Sequence, residues 1–350
     1  MSNLRNNIMQ EDMKQICSSS CVDFNKLINK RVLITGATGL IGSVLVKSLL
    51  YFNNVSHEKI KISIIARNPE KVAAIYGNDF NDNLDVIYGD LNADIEATEH
   101  IDFIIHLASN TNSKYMISNP VETLNTSIDG TRRMLKLAAD NKSESMVYVS
   151  SMEVYGITAE EDNPVTEDQL GYIDIHNVRS SYSEGKRICE LLCSCYAAEY
   201  DVPVKIARLA QTFGAGVPDT DTRVFAQFAK SVIEQKDIVL HTRGESSANY
   251  CYTADVAEGI LCILTNGTSG EAYNVVNEKT SMKIRDVADM VANNLSGGSI
   301  KVVYDIPESN LFGYAPDTKL MLSGEKLRKL GWKPHYDLLQ MYERMIDCWK

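Results

Sequence analysis

The chain has 350 residues, of which 44% are hydrophobic, and it carries a formal net charge of −11. This length suits one large α/β domain with a smaller satellite, and the negative charge argues against a nucleic-acid partner, which needs a basic face. A local basic pocket for a phosphorylated ligand is compatible with this charge. No apolar run approaches the ~18 residues of a membrane span, and the N-terminus has no apolar signal core, so we expect a cytoplasmic protein without a membrane partner.

The cysteines and histidines show no spacing typical of a metal site. The eight cysteines contain no paired C-x-x-C motif, and the six histidines are scattered. Cys189 and Cys193 would share one helix face, where small buried hydrophobes explain them better than metal ligands. We therefore predict a reduced chain without a metal site.

Short apolar runs alternate with longer helical patterns along the first part of the chain. The runs are nearly continuous in valine and isoleucine, as in strands that are covered on both faces. Regular βαβ alternation implies a Rossmann-type α/β fold with a doubly wound parallel sheet. The predicted strands are 31–35, 61–66, 84–89, 102–108, 145–150 and 203–209, and the predicted helices are 40–52, 69–77, 121–140 and 181–200.

After about residue 210 the pattern loosens, and a smaller C-terminal α/β domain is predicted. A helix near 223–235 is followed by 249–264, a predicted short strand and helix that could return to the main sheet. The predicted domains are residues 1–30 as a polar N-terminal extension with a possible short helix, 31–210 plus about 246–275 as the main domain, and 211–245 plus 276–350 as the smaller domain.

Three glycines lie directly after the first predicted strand, in VLITGATGLIG (32–42). Gly36, Gly39 and Gly42 allow a tight turn and a close approach of the backbone to a pyrophosphate at the N-terminus of the next helix. The spacing is GxxGxxG and not the commoner GxGxxG, and a merely flexible loop is the alternative. The strand before and the helix after the glycines favour a dinucleotide-binding loop.

Tyr182 and Lys186 are four residues apart in SSYSEGKR (180–187) and would share one helix face. A phenol is a poor base at neutral pH, but a fixed ammonium group favours the phenolate and lowers the phenol pKa. The spacing therefore suits a proton-transfer pair. Two polar residues on a wet helix surface are the alternative.

Five motifs in order settle that question by resemblance. TGATGLIG (35–42), GDL (89–91), HLAS (106–109), VSS (149–151) and the Tyr182–Lys186 pair resemble the extended short-chain dehydrogenase/reductase family from residue 31 to about 340. The resemblance implies an NAD(P)-dependent oxidoreductase with Tyr182 as catalytic acid/base. Lys186 would then orient the nicotinamide ribose and lower the Tyr182 pKa, and Ser151 would bind the reacting oxygen.

The same resemblance implies the cofactor contacts and the oligomer. The main domain would bind NAD(P), the smaller domain would bind substrate, and the helices at 121–140 and 181–200 would form a four-helix bundle in a homodimer. Asp90 and Leu91 would flank the adenine ring. The implied cofactor residues are Gly36, Thr38, Gly39, Leu40, Ile41, Arg67, Asp90, Leu91, Leu107, Ala108, Ser109, Tyr182 and Lys186.

The choice of cofactor depends on the end of the second predicted strand. An acidic residue there would accept hydrogen bonds from the ribose of NAD, whereas arginine suits the 2′-phosphate of NADP. Arg67 follows Ala66 at this point, which favours NADP over NAD. An arginine that stacks on adenine, or one that is only solvated, is the alternative.

The substrate side departs from the family at several positions. In SSMEVYG (150–156), Glu153 matches the glutamate of nucleotide-sugar 4,6-dehydratases and UDP-glucuronate decarboxylases, as a catalytic or a structural carboxylate. Met152 replaces the dehydratase acid and cannot donate a proton. Ala248 replaces an arginine of many members. The candidate substrate residues are Ser151, Glu153, Tyr252 and Gln211, which stands where many members have asparagine. Arg223 or Arg243 could take the place of the missing arginine, and ordinary surface charges are the alternative for both.

The resemblance implies an enzyme that acts on a nucleotide-activated sugar. Arg67 and Met152 favour NADPH-dependent reduction of a nucleotide-linked ketose, for example a CDP-ketose to a CDP-alditol for bacterial surface or capsule polysaccharide. The alternative is a 4-epimerase or UDP-glucuronate decarboxylase-like enzyme that returns the hydride internally. A non-enzymatic cofactor sensor is disfavoured, since Tyr182 and Lys186 are both present.

Overall fold

The computed structural model describes residues 3–77, 84–91, 99–307 and 318–350. None of the helices in these ranges combines the length and the apolarity of a membrane-spanning segment. The strands are β1 Arg31–Thr35, β2 Lys61–Ala66, β3 Leu84–Tyr88, β4 Phe103–His106, β5 Ser145–Ser151, β6 Val204–Leu209, β7 Gln211–Phe213, β8 Ile238–Leu240, β9 Ser247–Ala248, β10 Tyr250–Tyr252, β11 Ala272–Val275, β12 Met282–Lys283 and β13 Val302–Tyr304. The helices are α1 Asn3–Cys17, α2 Leu40–Ser56, α3 Pro69–Tyr76, α4 Ser113–Ser118, α5 Pro120–Asn141, α6 Ser180–Tyr200, α7 Val224–Glu234, α8 Thr253–Asn266, α9 Ile284–Leu295, α10 Glu325–Arg328 and α11 Leu338–Trp349.

Seven of the strands form one central sheet. Their order is β11-β6-β5-β4-β1-β2-β3, and every pairing in the sheet is parallel. The chain therefore winds from β1 toward one edge and then from β4 toward the other, with helices as crossovers. The predicted Rossmann-type α/β class is confirmed, and each predicted strand contributes to this sheet.

Successive residues of a central strand face opposite hydrophobic clusters. Val32 and Ile34 of β1 belong to the cluster that includes residues of α2 and α8. Leu33 belongs to the cluster that includes residues of α5 and α6, among them Cys189 and Cys193. Burial on both faces explains why the predicted strands are continuous apolar runs and do not alternate.

The segment 249–264 differs in part from its prediction. Its strand, β10, pairs with β7 in a separate two-stranded sheet and does not join the central sheet. The reason is that β7 leaves the central sheet after Ala210 and offers β10 a parallel edge. The return comes later, where α8 packs on the central sheet and β11 pairs with β6.

The other short strands and the last helices lie in the ranges predicted for the smaller domain, except β9, which lies in the range predicted to return to the main domain. β8 pairs with β13 in parallel and β9 pairs with β12 in antiparallel orientation. The helices α7, α9 and α11 pack on one another. Asp337 begins α11 in a capping box with Gln340. The exact domain boundaries stay a prediction.

The N-terminal extension is an integral part of the fold. Its helix α1 packs on α2, α8 and α11, and Ile8 and Ile16 are buried in the main hydrophobic cluster. Asp12, also buried, accepts hydrogen bonds from the Tyr252 hydroxyl at 2.9 Å and from Arg344 at 2.7 Å. The helix has 15 residues and is longer than the short helix predicted. The contacts that stabilise it come from residues far along the chain, which a local pattern does not show.

A second polar cluster joins α1 to α8. The side chains of Asp255, Glu258 and His335 lie within 4.8 Å of one another, and both carboxylates are buried. The Gln15 amide donates to Asp255 at 3.0 Å and to Glu258 at 3.2 Å. The backbone nitrogens of His335 and Tyr336 also donate to Asp255. Because hydrogen bonds already satisfy these oxygens, the cluster does not alter the prediction of a chain without a metal site.

Candidate active site

The glycine-rich loop lies at the carboxyl end of β1 and begins α2. Gly36 has a φ of +69°, and a Cβ atom there would lie 2.9 Å from the backbone nitrogen of Ala108. A Cβ atom at Gly42 would lie 2.3 Å from the Gly36 carbonyl oxygen. The Tyr76 hydroxyl donates to the Ala37 carbonyl at 2.6 Å and holds the outer side of the loop. The loop therefore needs glycine, and it presents the first-turn amides of α2, which have no intrahelical acceptor.

The other predicted residues of this loop surround the same helix terminus. Gly39 is the N-cap of α2, with Thr38 before it and with Leu40 and Ile41 in the first turn. A Cβ atom at Gly216 would lie 3.3 Å from Leu40. The segment that follows β7 thus passes beside the glycine loop and brings the smaller domain to the proposed cofactor site.

The residues after β4 pass on the other side of the loop. The Thr35 hydroxyl accepts a hydrogen bond from the Ala108 backbone nitrogen at 3.1 Å and lies 2.7 Å from Nδ1 of His106. Burial, together with the Lys186 ammonium, lowers the pKa of His106 to about 3, so its imidazole is neutral. The buried hydroxyl of Ser109 has no hydrogen-bond partner among the described residues.

The predicted adenine-side residues lie at the carboxyl ends of β2 and β3. The Arg67 side chain is 76% exposed, and its guanidinium lies 3.7 Å from the Asp90 carboxylate. Leu91 is buried, and Arg133 of α5 donates to its carbonyl at 2.9 Å. Leu107, at the end of β4, packs against the main hydrophobic cluster. The structure thus brings Arg67 and Asp90 together.

The end of β5 and the first turns of α6 bring the predicted catalytic residues together. Lys186 is buried, its ammonium donates to the Val149 carbonyl at 2.8 Å, and it lies 5.8 Å from the centre of the Tyr182 ring. Burial lowers the pKa of Lys186 to about 8. Burial and the Glu153 carboxylate raise the pKa of Tyr182, and a hydrogen bond from Ser151 acts in the opposite direction. The phenol therefore needs further positive charge to ionise near neutral pH.

Glu153 lies beside Tyr182 with two partners that the sequence analysis missed. Arg179 donates to its Oε1 atom at 2.9 Å, and the Ser183 hydroxyl donates to Oε2 at 3.1 Å. The Arg179 guanidinium is also 5.8 Å from the centre of the Tyr182 ring. Arg179 and Ser183 are four residues apart at the start of α6, a spacing that places both side chains on the helix face toward Glu153.

The predicted substrate residues are more dispersed. Gln211 is exposed at the start of β7. Arg223 forms a two-pronged ion pair with Asp221 and stacks on Phe225, with 4.6 Å from the guanidinium carbon to the ring centre. The guanidinium of Arg223 already binds the Asp221 carboxylate, so a substrate anion would have to compete with that carboxylate.

The assignment of Tyr252 to substrate binding is corrected by its location. Its side chain is fully buried, and its hydroxyl donates to Asp12 and accepts from Nε of Arg344 at 3.0 Å. Its ring packs against Gly214, where a Cβ atom would lie 2.3 Å from the ring. Tyr252 therefore connects α1 and α11 to the loop after β7, and it has no surface left for a ligand.

Met152 and Ala248 keep the apolar character expected from the sequence. The Met152 side chain packs against a small cluster that contains Val154, Tyr155 and Ala210. Ala248 is buried in β9, and its backbone pairs with Met282. Neither position offers a proton donor or a cation.

Comparison with known proteins agrees with this geometry. The profile described as the NAD dependent epimerase/dehydratase family matches residues 32–276. The chain belongs to this family. The epimerase/dehydratase-family protein is accordingly an NAD(P)-dependent enzyme related to those that modify nucleotide sugars, and the predicted extended short-chain dehydrogenase/reductase relationship is confirmed.

Three similar proteins illustrate the range of the family. UDP-glucuronic acid decarboxylase 6 of Arabidopsis thaliana is 28% identical over 320 residues, which are 89% of this chain and 86% of the relative. UDP-glucose 4-epimerase of Thermotoga maritima, solved with UDP-glucose, has a TM-score of 0.76 at 18% identity and covers 91% of this chain and 98% of its own. RMD of Pseudomonas aeruginosa, solved with NADPH, has a TM-score of 0.71 at 22% identity. The match covers 91% of this chain and 98% of the RMD chain. The two structures show the shared fold.

The residues of the epimerase/dehydratase-family protein fit a nicotinamide dinucleotide. The glycine loop has no room for side chains where a pyrophosphate would approach, and the unpartnered Ser109 hydroxyl lies after β4, the strand that passes this loop. Lys186 and Tyr182 both lie in the first two turns of α6, and the Lys186 ammonium contacts the end of β5, where the resemblance would place the nicotinamide ribose. Whether NAD or NADP occupies the site depends on Arg67 and is part of the proposal below.

Proposed function

We propose that this protein oxidises and re-reduces one carbon of a nucleotide-linked sugar and removes or inverts a substituent in between, as a UDP-glucuronate decarboxylase-like enzyme or a 4-epimerase does. The observation that supports this proposal is the Glu153 carboxylate, held beside Tyr182 by Arg179 and Ser183. Simple reduction of a carbonyl needs one proton donor, whereas decarboxylation next to a ketone moves a second proton. Glu153 offers a second proton-transfer group in the same cleft.

Each of the candidate catalytic residues has its own role in the proposed reaction. A bound nicotinamide supplies the hydride acceptor and, later, the hydride donor. Ser151 binds the sugar hydroxyl, Tyr182 takes its proton as the hydroxyl becomes a ketone, and Lys186 stabilises the phenolate. Loss of carbon dioxide from the neighbouring carbon leaves an enolate, which takes a proton delivered through the half-buried Glu153. Tyr182 then returns its proton to the oxygen as the ketone becomes a hydroxyl again.

Dehydration is the family chemistry that these residues support least. It needs an acid next to Glu153 to protonate the leaving hydroxyl, and Met152 occupies that position with an apolar side chain among other apolar residues.

Net reduction is the second candidate function, and Arg67 favours it. Its exposed guanidinium at the end of β2, 3.7 Å from Asp90, is suited to a 2′-phosphate. An NADPH-dependent enzyme of this kind would reduce a nucleotide-linked ketose, such as a CDP-ketose, to an alditol for a surface polysaccharide such as capsule.

One experiment separates the two functions. The purified protein is assayed for bound nicotinamide and is then incubated with UDP-glucuronate, UDP-glucose and a CDP-linked ketose, with and without NADPH. Internal redox predicts tightly bound cofactor and conversion of a UDP-sugar with no net change in absorbance of the reduced nicotinamide. Consumption of one NADPH per CDP-alditol would establish net reduction instead. No conversion of any of the three would remove the support for both.

A homodimer through α5 and α6 is part of the proposal. Val121 of α5 and Leu191 of α6 are large apolar side chains that are 63% and 64% exposed, and Ile188 lies near Leu191 on α6. A second copy of the chain would cover them, as the resemblance to family dimers implies. Light scattering should give twice the mass of the chain, and Leu191→Glu should shift the mass to that of a monomer.

A further inference from the structure

We propose that Arg179 is a positioning residue for the acid/base Tyr182, because its guanidinium holds Glu153 in place and offsets the negative charge that Glu153 brings to the phenol. The inference deepens the proposed function and rests on Tyr182 being the acid/base. Arg179 immediately precedes α6, and Tyr182 lies in the first turn of that helix, so the two residues move as one unit with the helix.

The Arg179 guanidinium contacts the Glu153 carboxylate and also lies near the Tyr182 ring. Its Nη2 atom is 2.9 Å from Oε1 of Glu153, and its guanidinium carbon is 5.8 Å from the centre of the Tyr182 ring. Ser183 donates to the other carboxylate oxygen at 3.1 Å, so Glu153 has a fixed orientation. The side chains of Arg179 and Glu153 are 30% and 37% exposed, which leaves their interaction partly screened by water.

Among the described residues, the charged and titratable groups that face the phenol come from α6 with the residue before it, and from β5 with the turn after it. From α6 come Arg179 and the Lys186 ammonium, 5.8 Å from the ring centre. From β5 and the turn after it come Tyr148, Glu153 and the hydroxyl of Ser151. Glu153 raises the pKa of Tyr182, and Arg179 and Ser151 lower it. Arg179 and Glu153 therefore act on the same proton with opposite signs.

This opposition gives a distinctive expectation for single and paired substitutions. Removal of Arg179 leaves the Glu153 charge unopposed and makes the phenolate harder to form. Removal of Glu153 does the reverse. In a partly solvated cleft, with the Arg179 guanidinium 5.8 Å from the ring centre, each charge should change the titration midpoint by about one pH unit or less. Removal of both charges should leave the midpoint close to that of the parent.

The test reads the ionisation of residue 182 directly and needs neither substrate nor cofactor. A fluorinated tyrosine, whose phenol is more acidic, replaces Tyr182 alone, and its ¹⁹F resonance is followed against pH by NMR. The same titration is made in Arg179→Gln, Glu153→Gln and the double variant. Arg132→Gln is the matched control, because Arg132 is an exposed arginine with a carboxylate partner, Asp129, on α5.

We expect Arg179→Gln to raise the midpoint by about 0.5–1 pH unit and Glu153→Gln to lower it by a similar amount. The double variant should return to within about 0.3 pH unit of the parent, as should Arg132→Gln. A midpoint in Arg179→Gln equal to that of the parent would overturn the proposal, and so would a double variant as displaced as Arg179→Gln. If Arg179→Gln does not fold, Glu153→Gln still decides. An unchanged midpoint in Glu153→Gln would show that the Glu153 charge does not act on the phenol, and the proposal would then be wrong.

Failure of the proposed function leaves this result unaffected, since the titration uses the protein alone. Once a substrate is found, the acidic limb of the pH profile of kcat/KM should move up in Arg179→Gln and down in Glu153→Gln, and it should stay near that of the parent in the double variant and in Arg132→Gln. Arg179→Lys should restore part of the shift, because it keeps the charge and loses the forked contact.

Discussion

Glu190 of α6 and Arg208 of β6 form a buried ion pair, with 2.7 Å between Oε2 and Nη2. Glu190 lies one helical turn after Lys186 and two turns after Tyr182, so the pair fixes the catalytic helix to the central sheet. The Tyr155 hydroxyl accepts a further hydrogen bond from Arg208 at 3.1 Å. The position of the acid/base thus depends on a buried contact two helical turns away from it.

Arg208→Met should lower the free energy of unfolding by about 3–5 kcal/mol, because Glu190 would remain as a buried charge without a partner. Urea unfolding followed by circular dichroism measures the loss. The double variant Arg208→Met with Glu190→Met should recover much of it. Arg132→Met, which breaks an exposed ion pair with Asp129, is the control and should cost less than about 1 kcal/mol. A loss at Arg208 no larger than the control would contradict the role of the buried pair.

Tyr182→Phe should fold and bind cofactor normally but lose at least about a hundredfold in turnover, since a positioned acid/base contributes about 10²–10⁴-fold. Turnover of the substrate identified above and fluorescence titration with reduced nicotinamide cofactor measure the two properties. Tyr200→Phe, at the exposed end of the same helix, should change neither. Retained activity in Tyr182→Phe would show that another group moves the proton.

Gly36→Ala should abolish cofactor binding, because the new Cβ would meet backbone atoms of 107–108 and close the approach to α2. Gly270→Ala is a matched control, since Gly270 has a similar φ of +80° and nothing within 4 Å of a new Cβ. Both variants carry the strain of a left-handed alanine, roughly 1–2 kcal/mol. Only Gly36→Ala should lose binding in fluorescence or calorimetric titration. Equal behaviour would mean that backbone conformation alone matters there.

Arg67→Ala should weaken NADPH binding more than NADH binding if Arg67 contacts the 2′-phosphate, by about 1–3 kcal/mol for a lost charge-assisted contact. Calorimetric titration with each cofactor gives the difference. Arg132→Ala controls for the loss of one positive charge elsewhere. Equal losses of binding free energy for both cofactors would indicate that Arg67 stacks on the adenine ring. No loss for either cofactor would indicate that Arg67 is only solvated.

Burial raises the pKa of Asp255 to about 7 from its usual 3.8, and neither lysine nor arginine pairs with it among the described residues. The folded chain therefore holds this proton more tightly than the unfolded chain. Its stabilising effect is complete below about pH 4 and is lost as the pH rises toward 7, with a slope of at most about 1.4 kcal/mol per pH unit. Asp255→Asn should flatten that part of the stability curve in urea unfolding at pH 4.5 to 8. The exposed Asp140→Asn should leave the slope unchanged, and a slope that persists in Asp255→Asn would assign it to another group.

The sequence predicted the central sheet well because its strands are buried on both faces and so are continuous apolar runs. The spacing of Tyr182 and Lys186 on one helix face suggested a pair, and the family resemblance assigned their roles and added Ser151. These three residues do meet in the structure. Arg179 escaped notice, since an arginine before a helix resembles an ordinary surface charge until its carboxylate partner is located.

Tyr252 and the N-terminal extension show where pattern reasoning reached its limit. A tyrosine just before a helix resembles a ligand contact, but its partners, Asp12 and Arg344, are more than 90 residues away in the chain. The polar pattern of residues 1–30 suggested little structure. Its buried contacts depend on α8 and α11, and no local pattern reports contacts of that range.

The docking of α1 also sets an order of events during synthesis. Residues 12 and 15 leave the ribosome early, but the side chains that receive them, at 252, 255, 258 and 344, follow only after more than 200 further residues. The strands β1 to β6 can pair before then, and α1 can already pack on α2, whereas the polar contacts of α1 with β10, α8 and α11 have to wait for those segments. The first helix of the chain is therefore among the last to complete its contacts.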